Sequence, residues 1–326
     1  MKHVSILVPL GHSSLPNIDG SLQILHEVNN FCIAKGGEPF FKIQLVGLKK
    51  EISQRNGLYI VQPDVTINAV KKTDLIIIPA VHGDMSVVIK ENELFIPWIR
   101  KQYAQGAEIA SMCIASFFLA ATGLLNGKQC ATHWRLANEF RKMYPDVKLV
   151  DHKIITEEEG IYTSGGAYSF LNLLVYLIEK NVGREIAVLI CKAFMIDIDK
   201  DSQSPFIIFE GQKAHEDEPV KKAQEYIENN YQERITVDQV ASLVAVGRRN
   251  LERRFKKATA NTMIEYIQRV KIEAAKKSLE GSKGNVSEVM YAVGYSDTKA
   301  FRTTFRKITG LSPLEYRNKY SLSVNN

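Results

Sequence analysis

A pattern of two short helices occurs twice in the last third of the chain, and this duplication constrains the fold more than any other sequence feature. A small residue, Ala245 in the first copy and Gly294 in the second, stands at the predicted turn before a basic second helix. Val237–Ala241 matches Val286–Met290 at an offset of 49 residues. Leu251 and Phe255 match Phe301 and Phe305 at an offset of 50 residues. The duplication predicts an all-α domain that contains two helix-turn-helix motifs.

The repeat lies in the most basic part of the chain. Residues 219–326 contain 20 Lys and Arg against 11 Asp and Glu, a net charge of +9. Residues 1–218 contain 22 basic and 25 acidic residues, a net charge of −3. A near-neutral part joined to a strongly basic part favours a polyanionic partner such as nucleic acid, although charge alone is equally compatible with a solvated basic surface.

The second helix of each copy has the pattern of a recognition helix. Apolar residues four positions apart dock one face on a core and leave the opposite face free to enter a DNA major groove about 12 Å wide. Two such helices joined by the long helix predicted over Thr262–Leu279 favour binding to successive grooves of double-stranded DNA, roughly 34 Å apart. The candidate DNA-binding residues are Arg248, Arg249, Arg253 and Lys256 in the first copy, and Thr298, Lys299, Arg302, Thr303 and Arg306 in the second.

The segment 219–320 also resembles the AraC/XylS-family DNA-binding domain. Its most diagnostic stretch runs from Val293 to Arg317 and includes Gly294-Tyr295-Ser296 and Leu311-Ser312-Pro313. Gly247 stands where the family has a serine cap, and Met290 stands where alanine is usual. The resemblance implies a sequence-specific regulator that binds an operator.

The first two-thirds of the chain alternates strand-like apolar runs with helical segments. Asp74–Pro79 is a continuous β-branched run, which is typical of a strand covered on both faces. The rhythm predicts an α/β domain with a mostly parallel sheet and helices on both faces. Polar, breaker-rich residues at 197–218 separate this domain from the basic one. We predict domains at 1–210 and 219–326 with a linker at 211–218, and expect Phe206–Phe209 to dock on the first domain.

Cys113 is predicted to lie in the sharp turn between a strand that ends at Met112 and a helix that begins near Ile114. Such a nucleophile elbow needs small neighbours, here Ser111 and Ala115. A helix N-terminus is expected to lower the pKa of the thiol, and His133 follows as a candidate base. Residue patterns alone favour the simpler interpretation, in which Cys113 is a buried small residue and His133 a hydrogen-bonded core histidine.

The residues around Cys113 are similar to those of the PfpI-type branch of the class I glutamine amidotransferase-like superfamily. The resemblance covers about residues 1–210 and implies a flavodoxin-like sheet with Cys113 and His133 facing each other across a pocket. Its motifs are Ser111-Met112-Cys113, Phe117–Gly127, Thr132-His133-Trp134, Tyr144–Val147, Gly160–Gly166, Gly183–Ala187 and Gln203–Phe206. With the AraC resemblance, this one implies a GlxA-type AraC-family transcription regulator.

Several departures from the superfamily pattern weaken the case for an enzyme. Asp19 is the candidate acidic partner, but the pattern places its acid nearer Asn17. Gly165 replaces a common alanine, and Asn172 stands where relatives have aspartate. The first domain is therefore expected to sense an unknown small-molecule or redox signal, with Cys113 either reactive or a vestigial nucleophile. The alternative is a cysteine-dependent hydrolase or amidotransferase with a DNA-binding tail.

Other features bound the cellular setting. Four scattered cysteines form neither a disulfide framework nor a close metal-binding pair. We expect no metal or other cofactor, a reducing cytoplasm, and a homodimer as in relatives of the first domain. No apolar run reaches the roughly 18 residues that a membrane helix needs, so no membrane partner is expected. The Met1–Leu10 segment is interpreted as a first buried strand.

Overall fold

A computed structural model describes residues 1–197, 202–281 and 284–321. The chain forms two compact units, Met1–Gln203 and Ser204–Asn326. In the described residues, no helix is long and apolar enough to span a membrane.

The first unit is an α/β domain in which strands and helices alternate. Its strands are β1 (Lys2–Val8), β2 (His12–Ser13), β3 (Phe41–Gly47), β4 (Ile52–Gln54), β5 (Tyr59–Val61), β6 (Val65–Thr66), β7 (Leu75–Ile78), β8 (Val81–His82), β9 (Glu108–Ser111), β10 (Gln129–Cys130), β11 (Lys148–Leu149), β12 (Ile155–Glu158) and β13 (Ile161–Ser164). Its helices are α1 (Leu15–Ala34), α2 (Met85–Glu91), α3 (Phe95–Ala104), α4 (Ala115–Ala121), α5 (Ala137–Met143), α6 (Phe170–Asn181) and α7 (Arg184–Phe194).

Seven strands form the central sheet in the order β12-β13-β9-β7-β1-β3-β6. Every pairing is parallel except that of the edge strand β12 with β13. The mostly parallel α/β prediction is therefore confirmed. The chain leaves β1 toward β3 on one side and returns to β7 on the other, which creates a topological switch point at the carboxyl ends of β1 and β7, where α/β domains bind ligands.

Each face of the sheet has its own apolar core, which explains why the central strands have no polar face. On one face, α1, α6 and α7 bury residues such as Leu25, Leu174 and Ile190. On the other, α3, α4 and α5 bury Trp98, Phe117 and Phe140. The sheet thus presents the carboxyl end of β9, which precedes Cys113, at an edge flanked by helices from both layers.

The described residues of the second unit form helices and no strand, as predicted for an all-α domain. Its helices are α8 (Glu218–Asn229), α9 (Val237–Leu243), α10 (Arg248–Thr259), α11 (Met263–Gly281), α12 (Val286–Ala292), α13 (Thr298–Thr309) and α14 (Pro313–Tyr320). Two separate apolar cores form. One holds Leu251 and Phe255 of α10, the other holds Phe301 and Phe305 of α13, and the long helix α11 contributes to both.

The predicted location of Phe206–Phe209 is wrong. The compact units divide between Gln203 and Ser204, and this apolar run packs on the helical unit. The Phe206 ring lies 6.4 Å from that of Tyr320, and the Phe209 ring lies 5.1 Å from that of Tyr266. The polar composition of 197–218 gives little indication of these contacts in the sequence, because only two aromatic side chains of the segment make them.

Candidate functional site

The two helix-turn-helix motifs have matching geometry. Thr236 and Asn285 each begin the first helix of a motif with a capping box. At each turn the backbone is left-handed, with φ of 51° at Ala245 and 74° at Gly294. In both motifs the same left-handed turn follows a helix with the same kind of cap. The second helices, α10 and α13, therefore have equivalent positions in their motifs, as the repeated sequence predicts.

All nine candidate DNA-binding side chains are exposed on α10 and α13, opposite the buried aromatic and leucine residues. Arg248 is partly committed within its own motif, because it donates to Asp238 at 3.0 Å and lies 3.5 Å from Glu252. Arg253 donates to Asn250 at 3.0 Å. Both recognition helices thus present cations to solvent, which is what contacts with phosphates and guanine edges require.

Cys113 occupies a strained elbow between β9 and α4. Its φ is 57°, in the left-handed region that residues with a side chain rarely adopt. Its backbone N–H donates to Ser164 Oγ at 3.3 Å, and Met112 N–H donates to Ile78 O at 3.0 Å. The predicted strand–turn–helix placement of Cys113 is therefore what the structure has, and neighbouring strands hold the turn.

The expectation of a lowered thiol pKa is wrong. Cys113 is only 3% exposed. Burial raises the pKa of Cys113 to about 12, and the hydrogen bond with the backbone of Ile114 opposes this rise only in part. The helix N-terminus contributes less than desolvation, because removing a thiolate from water costs more than a few backbone dipoles return. Cys113 is therefore a neutral thiol near pH 7.

His133 caps a short 3-10 helix, Trp134–Leu136, and Nδ1 accepts a hydrogen bond from Arg135 N–H at 3.2 Å. Desolvation, then the charges of Arg135 and His82, lower the pKa of His133. In the described ranges no hydrogen bond joins His133 to Cys113 or to a carboxylate. The ring is thus neutral near pH 7, with one nitrogen already engaged.

Asp19 does not lie toward the elbow. It is on the exposed side of α1, where Gln23 donates to it at 2.6 Å. The opposite, buried side of α1 carries Asn17, which accepts from Ala80 N–H at 3.1 Å, and Ser21, whose Oγ lies 3.9 Å from Met112 Sδ. Side chains two residues apart along a helix differ in direction by about 200°, so Asp19 and Asn17 face opposite ways. On the buried side of α1, the amide of Asn17 takes the place of the acid.

Gln203, which the sequence marked only as the start of the Gln203–Phe206 motif, is a buried residue of the site. It is 2% exposed, and its Nε2 donates to Thr132 O at 3.0 Å and Lys153 O at 3.2 Å. Its Oε1 is buried without a hydrogen-bond partner among the described residues. A Cβ on Gly165 would lie 2.3 Å from Gln203 Nε2. Gly165 therefore leaves room for the Gln203 amide.

The switch point is closed by a two-residue ladder in which His12 pairs with His82. The hairpin between β4 and β5 reaches the same place, since His12 Nε2 and Asn56 Oδ1 are 3.3 Å apart. Partial desolvation, then the charges of Arg55 and His12, lower the pKa of His82. The neutral imidazole of His82 can hydrogen-bond to a ligand, and the Arg55 guanidinium can attract an anionic group. Sequence reasoning missed them because the three residues are far apart along the chain.

Two family models match the chain. A helix-turn-helix domain model matches residues 240–319, and a DJ-1/PfpI family model matches residues 36–180. The HTH-type transcriptional regulator GbdR of Pseudomonas aeruginosa is 25% identical over 279 residues, which cover 82% of this chain and 72% of that protein. The HTH-type transcriptional regulator GlxA of Rhizobium meliloti is 22% identical over 222 residues, 68% of each chain.

Solved structures show the same fold for the first unit. A putative transcriptional regulator protein from Vibrio parahaemolyticus has a TM-score of 0.53 and 23% identity, and covers 60% of this chain and 99% of that chain. An AraC family transcriptional regulator from Pseudomonas putida has a TM-score of 0.51 and 15% identity, with 60% and 100% covered. The chain therefore combines a segment that matches the DJ-1/PfpI family with a segment that matches a helix-turn-helix domain, and the relatives named above, which are similar over most of its length, are HTH-type transcriptional regulators.

Proposed function

We propose that α10 and α13 read the two halves of a DNA operator and that the DJ-1/PfpI domain senses a small molecule. The observation that carries the DNA-binding part is the pair of equivalent helices, each anchored by its apolar face and exposed on its cationic face. The relatives' names as transcriptional regulators support it.

The two recognition helices differ in chemistry at equivalent positions. At the offset of 50 residues, Arg249 corresponds to Lys299, and Glu252 corresponds to Arg302. Arginine grips guanine through two hydrogen bonds, whereas glutamate accepts from cytosine. We infer that the operator is bipartite with two unlike half-sites, bound by the nine residues named above.

Arg302→Ala is expected to weaken binding to the selected operator by about 1–3 kcal/mol, because a bidentate contact with a base would be lost. The operator is first selected from a randomised duplex pool with the full-length protein, and binding is then measured by fluorescence anisotropy at several salt concentrations. Lys222→Ala is the matched control, since it removes one exposed cation from α8, outside the recognition helices.

Equal losses on the operator and on random DNA would show that Arg302 contacts only phosphate. Failure of the wild-type protein to enrich any motif, together with salt-dependent binding, would overturn the proposal of a sequence-specific reader.

We further propose that the first unit binds its effector at the edge formed by Cys113, His133, His82 and Gln203, and that this domain acts as a sensor without turnover. A neutral, buried thiol with no hydrogen-bonded base is poorly suited to nucleophilic attack. The residues at this edge favour an effector with an anionic or hydrogen-bonding group. We also propose that the protein is a homodimer and acts in the cytoplasm.

Alkylation of the native protein tests the hydrolase alternative. We expect iodoacetamide to modify Cys113 far more slowly than the partly exposed Cys32. A pKa near 12 makes the thiolate fraction at pH 7 roughly a thousandfold lower than for an ordinary thiol, and the rate should still rise above pH 10. Mass spectrometry of each cysteine peptide gives the rates, and denatured protein, in which the rates should converge, is the control.

A Cys113 rate that levels off near neutral pH would reveal an activated thiolate. Together with a trapped acyl adduct on Cys113, that result would establish the hydrolase or amidotransferase reading instead.

A further inference from the structure

Residues 204–217 precede the first helix of the second unit and have the composition of a flexible linker. Apart from the single 3-10 turn Ser204–Phe206, they form no helix or strand. Nevertheless the segment makes specific contacts along its length with the helices of its own unit. We refer to Ser204–Asp217 as the clasp.

The clasp begins on the second helix-turn-helix motif. Its 3-10 turn contacts α13, and Lys319 Nζ lies 5.4 Å from the centre of the Phe206 ring. The Phe206 ring also meets Tyr320 of α14 edge-on. These contacts place the start of the clasp against the helices that support the second recognition helix.

The middle of the clasp is bound to the centre of α11 by buried charges. Lys276 Nζ donates to Ile207 O at 2.5 Å and to Glu273 at 2.8 Å. Glu273 in turn accepts from Phe209 N–H at 3.1 Å. Lys276 is 3% exposed, so both of these partners are needed to compensate for the burial of its charge.

The end of the clasp lies on the first motif. Phe209 packs against Tyr266, and Arg269 Cζ lies 5.7 Å from the centre of the Phe209 ring. Gln212 accepts from Asn261 at 3.1 Å. Asp217 then forms a two-pronged ion pair with Arg254 of α10, at 2.8 and 2.7 Å, so the clasp finishes on the first recognition helix itself.

We propose that the clasp is part of the DNA-binding unit and holds the two helix-turn-helix motifs in the relative orientation that a bipartite operator requires. Each motif has its own core, and α11 contributes to both. A single helix bends and twists, whereas a second connection restricts both movements. Phe209, Glu273, Lys276 and the Asp217–Arg254 pair are thus positioning residues, which need no contact with DNA.

The inference rests on the proposed reading of two half-sites, because rigid spacing matters only when both motifs bind at once. A rigid connection gives the second motif a high effective concentration at its half-site after the first has bound. A loosened connection lowers that concentration without changing either recognition surface. The proposal therefore predicts a defect in coupling between half-sites and no defect within one.

The test uses the full-length protein, the operator selected by the wild-type protein, and duplexes in which one half-site is scrambled. We expect Phe209→Ala and Asp217→Asn each to weaken binding to the complete operator by about tenfold and binding to a single half-site by less than about twofold. Both variants should also tolerate one inserted base pair between the half-sites better than the wild type does. Asparagine keeps the capping bond of Asp217 to Val220 N–H and removes the ion pair.

Each variant has a matched control in the same segment. Ile208→Ala removes a side chain that is 48% exposed, and Glu216→Gln removes a carboxylate whose side chain is 99% exposed; neither should change the coupling. Equal losses on complete and half operators, or no loss on either, would overturn the clasp. A wild-type protein that gains nothing from the second half-site would instead refute the two-half-site function on which it rests.

Discussion

Lys271→Met is expected to lower the free energy of unfolding of the helical unit by about 3 kcal/mol. Lys271 lies on α11 and is 7% exposed. Its ammonium donates to Glu233 O and Val293 O at 3.1 Å and to Gly294 O at 3.2 Å, so all three of its protons are used. Burial lowers the pKa of Lys271, and the three carbonyls compensate for that burial.

Methionine keeps the length and apolar stem of the side chain but cannot donate. Three carbonyl oxygens then lose their donor, at about 1–3 kcal/mol for each buried unsatisfied group, while the desolvation cost of the ammonium is recovered. Lys277→Met, at an exposed position of the same helix, should change stability by less than about 0.5 kcal/mol.

The measurement is chemical denaturation followed by circular dichroism, with hydrogen exchange of peptides from α12 and α13 to assign the loss to this unit. Equal stability of the two variants would show that the three hydrogen bonds contribute nothing to the stability of the helical unit.

Gly294→Ala is expected to destabilise the same unit by about 3–5 kcal/mol and to abolish binding to the second half-site. Its φ of 74° is unfavourable for alanine, and a Cβ there would lie 2.1 Å from Gln232 O and 2.6 Å from Lys271 Nζ. The first atom belongs to the backbone and cannot move aside like a side chain. The left-handed conformation adds roughly 1–2 kcal/mol.

The equivalent turn of the first motif provides the opposite substitution. Ala245 has φ of 51° and is exposed, so Ala245→Gly should leave stability unchanged or raise it by up to about 1 kcal/mol, because the strain is relieved while the unfolded chain gains freedom. Thermal unfolding of both variants gives the comparison. A Gly294→Ala protein as stable as the wild type would show that the turn rearranges without cost.

Periodicity and composition were sufficient for the architecture. The β–α alternation predicted the parallel sheet because a strand buried on both faces must be continuously apolar, as at Leu75–Ile78. The duplicated helices were equally clear, since both the capped helix and the four-residue spacing of apolar anchors are local patterns. The helical spacing of apolar residues over Gly20–Lys35 predicts α1 only from Gly20, whereas the helix begins at Leu15, with Pro16 in its first turn.

The candidate pocket was predicted less well. The elbow of Cys113 followed from small neighbours at a strand end, but its pKa depends on how much protein covers the sulfur. The side of α1 that faces Met112, which carries Asn17 and Ser21, could be identified only once α1 was packed on the sheet. His82 and Gln203 join the region from distant segments; no local pattern marks His82, and Gln203 was marked only as part of the Gln203–Phe206 motif.

The sequence by itself determined the two kinds of domain and the surfaces that α10 and α13 expose, because apolar periodicity decides which face of each element is buried. Only the tertiary structure decided the protonation of Cys113, the isolation of Asp19 and the docking of 204–217 on the helical unit. Those properties depend on desolvation and on contacts between residues far apart in the chain, such as Asp217 with Arg254. A segment with few apolar residues appears to be a linker in the sequence, and yet two aromatic rings and a few buried polar groups are sufficient to dock it.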